Sequence, residues 1–150
     1  MDDPGLNVFL FVCRDRDILI TNEAYKVYSS CMYRPSFEKY EEEMEGFLND
    51  ESYTVFVAEH GNDIKGMLVL DLSGNRPEIE GIAVFEDFRR KGLGRCMILG
   101  AMERLKTDSI IAETDDGAVD FYRACGFSVR KILREYPDGT AVRYICELSK

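Results

Sequence analysis

The residues with the clearest chemical content are Arg89-Arg90-Lys91-Gly92-Leu93-Gly94-Arg95, which follow the apolar run Ile82-Ala83-Val84-Phe85 and the acidic stretch Glu86-Asp87-Phe88. A strand that passes through a two-glycine turn into a helix brings unpaired backbone N–H groups to the turn, and the glycines let a ligand approach the backbone closely. The helix N-terminus contributes about half a positive charge. Arg89, Arg90, Lys91 and Arg95 add formal charges, so the natural guest is a phosphate or pyrophosphate. Two familiar phosphate loops fail on the residues: GxGxxG needs glycine at 97, where Met97 stands, and GxxxxGK[ST] occurs nowhere. Nucleophilic hydrolysis has little to draw on. His60, the only histidine, falls in the turn Glu59-His60-Gly61-Asn62-Asp63 with no triad partner suggested for it. The five cysteines, at 13, 31, 96, 125 and 146, form no CxxC pair and no zinc-ligand spacing. They read as free thiols, with Cys31 and Cys96 on buried helix faces, and no metal is expected.

Periodicity supplies the elements that must hold this loop. Leu6 to Cys13 is a continuous apolar run with the look of a buried strand. Ala24, Val27, Tyr28 and Cys31 recur at helical spacing behind a Thr21 or Asn22 cap, predicting a helix over 21–33. Ser36 caps a second helix carrying Phe37, Tyr40, Met44, Phe47 and Leu48. Strands come next at Tyr53 to Ala58, Ile64 to Leu72 and Glu78 to Phe85, then a helix from Gly92 to Lys106. A short strand from Asp108 to Glu113, a helix from Asp115 to Cys125, and a hairpin of Phe127 to Tyr136 with Thr140 to Leu148 complete the chain. Helices interspersed among strands argue for a mixed α/β sheet covered by helices, and the absence of repeats and linkers for one domain over 1–150.

The composition excludes several classes. With 150 residues, 45% of them apolar, the chain can bury a core without disulfides, and disorder is excluded. No apolar run approaches the ~20 residues of a membrane span. The start, Met1-Asp2-Asp3-Pro4-Gly5, carries acid where a secretory signal carries base, so a soluble, cytoplasmic protein without membrane partners is expected. A net charge of −9 disfavours nucleic acid. That charge is uneven: residues 1–75 hold 6 basic and 15 acidic side chains, residues 76–150 hold 13 of each. The second half therefore suits an anion and the first half a cation.

Arg89, Gly92 and Gly94 stand as RxxGxG, after a strand and opening a helix. Downstream, Ala118-Val119-Asp120-Phe121-Tyr122-Arg123-Ala124-Cys125-Gly126-Phe127 reads A-x-x-F-Y-x-x-x-G-F. In both motifs and in element order the sequence resembles the GNAT superfamily of acetyl-CoA-dependent N-acetyltransferases. The resemblance is specific from Glu78 to Phe127, and one residue departs from it: Asp115 stands where the family often has Asn, which removes an amide donor while leaving a good helix cap. It implies a mixed central sheet of about seven strands flanked by about four helices, acetyl-CoA as co-substrate, no metal, and a direct ternary-complex transfer. The pantetheine arm is expected to pair with the backbone of Ile82, Ala83 and Val84, and the pyrophosphate to reach Arg89, Arg90, Lys91, Gly92, Leu93, Gly94 and Arg95.

Acetyl transfer to an amine needs a neutral amine and a protonated leaving thiolate. The resemblance assigns the base to Glu78 or Glu80, which share a strand face if no bulge intervenes, and the acid to Tyr122. A carboxylate with a pKa near ~4.3 is a weak base, so it must act through water or with a raised pKa. The family's acceptor cleft is walled by the first two helices, where Glu38, Glu41, Glu42, Glu43, Glu45, Asp50 and Glu51 face Lys39 alone. Such a wall favours a cationic amine, either a small molecule or a protein amine. A non-catalytic acyl-CoA-binding sensor is the alternative, and a homodimer is left open.

Overall fold

The computed structural model describes residues 2–3 and 6–150, so Met1, Pro4 and Gly5 of the acidic start lie outside the described residues. Strands Asp2–Asp3 (β1), Val8–Val12 (β2), Tyr53–His60 (β3), Asp63–Asp71 (β4), Glu78–Val84 (β5), Ser109–Thr114 (β6), Ser128–Tyr136 (β7) and Gly139–Ser149 (β8) form one sheet in the order β1-β2-β3-β4-β5-β6-β8-β7. All neighbours are antiparallel except β5 and β6. β1 has two residues, so the expected seven strands are the other seven. The helices are Arg16–Leu19 (α1), Asn22–Tyr28 (α2), Phe37–Leu48 (α3), Leu93–Leu105 (α4) and Val119–Ala124 (α5). The one not anticipated, α1, is a single turn started by Asp15, whose carboxylate accepts from the Asp17 amide at 2.9 Å.

The centre of the sheet is buried on both faces, which is why β3 and β4 carry unbroken apolar runs. Phe56, Ala58, Leu68 and Leu70 feed a core under α4 and α5. Val55, Val57, Met67 and Val69 feed a second core under α1, α2 and α3. The caps are those the sequence offered: Thr21 Oγ1 accepts from the Ala24 amide and Ser36 Oγ from the Lys39 amide, both at 3.2 Å. On the far side, Glu113 of β6 accepts from Arg134 and Arg143 of the closing hairpin. The hydrogen bond from Arg134, followed by that from Arg143, holds its carboxyl below the usual range against the opposing effect of burial.

Three expectations change. The helix predicted over 21–33 is α-helical only to Tyr28, then becomes a 3-10 turn over Ser29–Cys31. The side chains of Ser29, Ser30 and Cys31 donate to the carbonyls of Lys26, Val27 and Tyr28, bonds that compete with the helix. Cys31 and Cys96 are therefore not buried helix-face thiols: Cys31 is exposed beyond the helix end and Cys96 is half-buried on the flank of α4, while Cys13, Cys125 and Cys146 are buried. All five are free. His60 ends β3, and the turn proper is only Gly61-Asn62. Its Nδ1 lies 3.0 Å from the Asn7 carbonyl oxygen and its ring sits 5.2 Å from that of Phe88.

Gly94 turns out to serve packing. A Cβ there would lie 2.6 Å from Phe121 Cε1, so the missing side chain is the space that lets α5 close on the first turn of α4. Gly94→Ala is expected to lower stability by about 1 kcal/mol or more, because overpacking costs roughly 1–3 kcal/mol and exceeds the helix propensity gained. Denaturant unfolding measures this directly, and an unchanged or raised midpoint would show that Phe121 retreats freely.

Candidate active site

β5 and β6 run parallel but share a single registered pair, Glu78 with Ile111, and then part. The Phe85 amide donates to Lys65 O of β4 at 2.7 Å. Alternation along β5 then turns the N–H and C=O groups of Ile82 and Val84 away from β4, into the gap, and those of Ala83 toward Met67. The predicted segment Ile82-Ala83-Val84 is thus an open sheet edge at 82 and 84 and a paired position at 83. Arg89 Nε donates to Val84 O at 2.9 Å. Arg89 therefore fastens the loop to the strand end, leaving its terminal N–H groups for other partners.

The loop beyond is a 3-10 turn, Glu86–Phe88, then Arg90 at φ 64 and Gly92 at φ 82. Two left-handed positions so close together turn the chain sharply enough for α4 to start facing the gap. Phe88 anchors it: the ring is buried, with Lys91 Nζ 5.1 Å above it. Among the described residues no side chain caps α4, and its first backbone bond runs from Cys96 N to Gly92 O. Among the described residues the amides of Leu93, Gly94 and Arg95 have no backbone acceptor. Arg90, Lys91 and Arg95 are exposed around them.

At the other end of β5 the register with β4 slips: Val69 pairs with Gly81 and Leu70 with Ile79, so Glu80 is the extra residue of a bulge. The single-face placement of Glu78 and Glu80 was conditional on a regular strand, and the strand is not regular there. The two carboxylates nevertheless interact. Burial first, then Asp71, then Glu78 raises the Glu80 carboxyl above its ordinary range. Burial and Glu80 likewise raise Glu43 of α3. The Tyr53 hydroxyl is raised by burial, then by Glu80 and Asp71. Asp71 and Glu78, which face each other across β4 and β5, also line a cavity of about 290 Å³ with Asn75, Ile111 and Arg76, whose guanidinium is paired with Glu147. Among the described residues none of Glu43, Asp71, Glu78 and Glu80 forms an ion pair, although Glu78 and Arg134 attract each other at longer range. The predicted acidic wall is accordingly divided: Glu41 and Glu45 pair with Arg16, Asp50 accepts from Ser52 N, Glu38, Glu42 and Glu51 are exposed, and Glu43 alone couples to β5.

Tyr122 is buried with its ring 5.1 Å from that of Phe121 and 5.2 Å from that of Phe127. Burial, followed by Cys146 and Cys31, raises its pKa, which keeps the proton in place. The helix expected from Asp115 begins only at Val119, with Ala118 as its N-cap and no side-chain cap, and Asp115 instead closes the preceding turn by accepting from the Gly117 and Ala118 amides at 2.9 and 3.2 Å. Two residues of this neighbourhood escape sequence reasoning. The Tyr28 hydroxyl lies where Gly81 would carry a Cβ, and Cys31 interacts with the Tyr28 side chain and the Ile82 amide. Both look like ordinary helix-core positions in the sequence, and only the early helix end exposes the second.

A model of the acetyltransferase (GNAT) family matches residues 21–127, which take in both motifs and every element from α2 to α5. The chain belongs to the acetyltransferase (GNAT) family. Among GNAT relatives, the uncharacterized N-acetyltransferase YvbK of Bacillus subtilis is 32% identical over 95 residues, covering 57% of this chain and 58% of that relative. A Bacillus subtilis acetyltransferase solved in complex with CoA superposes with a TM-score of 0.68 at 20% identity, covering 95% of this chain and 99% of that one. A chimeric spermidine N-acetyltransferase built from the Vibrio cholerae and hSSAT sequences does so with 0.71 at 18% identity, covering 95% of each chain. These likenesses establish the GNAT fold for this chain. Among the described residues no three His, Cys, Asp or Glu side chains are grouped to hold a metal, and no helix is long and apolar enough to cross a membrane.

The carboxylate cluster predicts its own titration. Asp71→Asn removes the larger of the two charge effects on Glu80, so the Glu80 midpoint is expected to fall toward, without reaching, the ordinary carboxylate range, because burial persists. Glu78→Gln should move it less. Carboxyl ¹³C NMR titration reads both, and a Glu80 midpoint indifferent to Asp71 would dissolve the cluster.

Proposed function

We propose that this chain transfers the acetyl group of acetyl-CoA to a primary amine, with a cationic small molecule or a protein amine as acceptor. The observation that carries the coenzyme half is the open β5 edge at Ile82 and Val84 leading directly to the uncapped N-terminus of α4. An extended pantetheine chain with its two amides suits the edge, and a pyrophosphate suits the Leu93, Gly94 and Arg95 amides ringed by Arg90, Lys91 and Arg95. The carboxylates without cations carry the acceptor half. Like charges raise one another's pKa and lower stability until a cation joins them, and an acceptor ammonium does so.

In the proposed reaction Glu80, or Glu78, takes a proton from the acceptor ammonium directly or through a water. The freed nitrogen lone pair attacks the thioester carbon, the carbon–sulfur bond breaks, and Tyr122 gives its proton to the departing sulfur. Its raised pKa makes Glu80 a stronger base than an ordinary carboxylate. Direct attack is favoured over relay through the nearby thiol. Burial pushes Cys31 up to about 12, so at neutral pH only about one molecule in 10⁵ carries the thiolate nucleophile.

Two measurements test this. Acetyl-CoA at 100 times its dissociation constant should add about 2.7 kcal/mol and raise the melting temperature by about 5–10 °C. ATP and NAD, which share the phosphates and lack pantetheine, should give clearly smaller shifts. Equal shifts for all three would reduce the loop to a generic anion site. Against a panel of polyamines and other basic amines, Tyr122→Phe should lower kcat by roughly 10²–10⁴-fold with little change in coenzyme affinity. Glu80→Gln and Glu78→Gln, made separately, should identify the base. Tight coenzyme binding with no turnover on any amine would favour the acyl-CoA sensor.

A further inference from the structure

On the coenzyme reading, the acyl carbon lies beside Gly81 and Ile82, where the open edge meets the bulge, and the assignment of an acyl pocket there rests on that reading. Two side chains already crowd this spot. A Cβ at Gly81 would fall 2.7 Å from Tyr28 Cζ and closer still to the hydroxyl, so the phenol lies flush against the strand backbone. It has nowhere to retreat. Tyr28 is 2% exposed and its ring meets that of Tyr40 at 5.9 Å. Tyr40 is fully buried, flanked by Tyr25 and Phe37, and tied by its hydroxyl to the Leu19 carbonyl.

Cys31 adds the next surface. It stands at the end of the 3-10 turn, its thiol 3.2 Å from the Tyr28 carbonyl oxygen. The residue as a whole is exposed, yet the sulfur is turned inward, toward the Tyr28 hydroxyl and the outward-facing amide of Ile82. Tyr122, buried in the opposite core, feels the same thiol electrostatically, after burial and Cys146. We infer that Tyr28 and Cys31 form the end wall of the acyl pocket, and that Cys31 sets the length of acyl chain the enzyme accepts, at acetyl. Tyr28 is locked by its aromatic neighbours, so the sulfur is the adjustable part of the wall. Cysteine to alanine removes one heavy atom, about the space that one further methylene of the acyl chain needs.

The test is calorimetric binding of CoA, acetyl-CoA and propionyl-CoA to the wild type, Cys31→Ala and Cys31→Leu. It needs no acceptor, and ratios within each variant cancel any general change in coenzyme affinity. One surplus methylene in a fitted pocket costs roughly 10–200-fold, so the wild type should bind propionyl-CoA at least about ten-fold more weakly than acetyl-CoA. Cys31→Ala should narrow that gap to within about three-fold, and Cys31→Leu should weaken acetyl-CoA about ten-fold relative to CoA, because an overfilled site rejects even the native group. Equal binding of both thioesters by the wild type, or an unchanged ratio in Cys31→Ala, overturns the wall. If Cys31→Leu does not fold, the first two proteins still decide. Failure of the wild type to bind CoA itself would instead remove the coenzyme reading, and the wall with it, so the two failures are distinguishable.

Discussion

A strand in the middle of a sheet has no spare hydrogen-bonding groups, and the rest of this structure depends on one that does. β5 is paired along one side and, after Glu78, released on the other. Open edges invite pairing, and backbone groups without partners are costly where water is excluded. Here the opening is kept by what surrounds it. β6 is engaged instead by β8 over six registered pairs, from Ser109 with Ser149 to Thr114 with Tyr144. α4 packs against β4 and β5 through Met97, whose sulfur lies where Gly66 would carry a Cβ, and Leu93. Its first turn then projects free amides into the same gap.

The second constraint is electrostatic. Among the described residues four carboxylates near the bulge form no ion pair, although Arg76 shares a cavity with two of them, while elsewhere the protein pairs its acids readily, as Arg16 with Glu41 and Glu45 or Arg76 with Glu147 show. Clustered unpaired acids oppose folding, and their retention at the mouth of an open strand edge makes sense if they meet a cation during the reaction. The positive loop and the acidic cluster lie at opposite ends of β5. The strand thereby separates a positive cluster from a negative one, which on the proposed function serve an anionic donor and a basic acceptor.

Much of this is legible in sequence because local rules govern it. Ser36 and Thr21 announce their helices, β3 and β4 declare double burial by unbroken apolar runs, and RxxGxG fixes the strand-to-helix loop. What escapes depends on contacts between distant segments. Nothing around Glu80 marks it as a bulge, since the slip is set by pairing with Val69 and Leu70. Gly94 reads as ligand space, yet Phe121, remote in sequence, occupies it. The helix end at Tyr28 depends on three short side chains bonding their own backbone, and misplacing it hides Cys31 within a periodic pattern it does not share.

The single pair joining β5 to β6 also bears on how the chain finds this structure. The turn between β3 and β4 is Gly61-Asn62 and that between β7 and β8 is Pro137-Asp138, so each meander closes over a short loop at small entropic cost. Glu78 and Ile111, by contrast, meet across 33 residues and a whole helix, in the parallel arrangement that is intrinsically slow to form. The sheet is thus two leaves joined by one registered pair, and within the leaves β2 with β3 and β6 with β8 also pair segments far apart in sequence. The seam at which a coenzyme would be received is also the seam along which the fold is assembled.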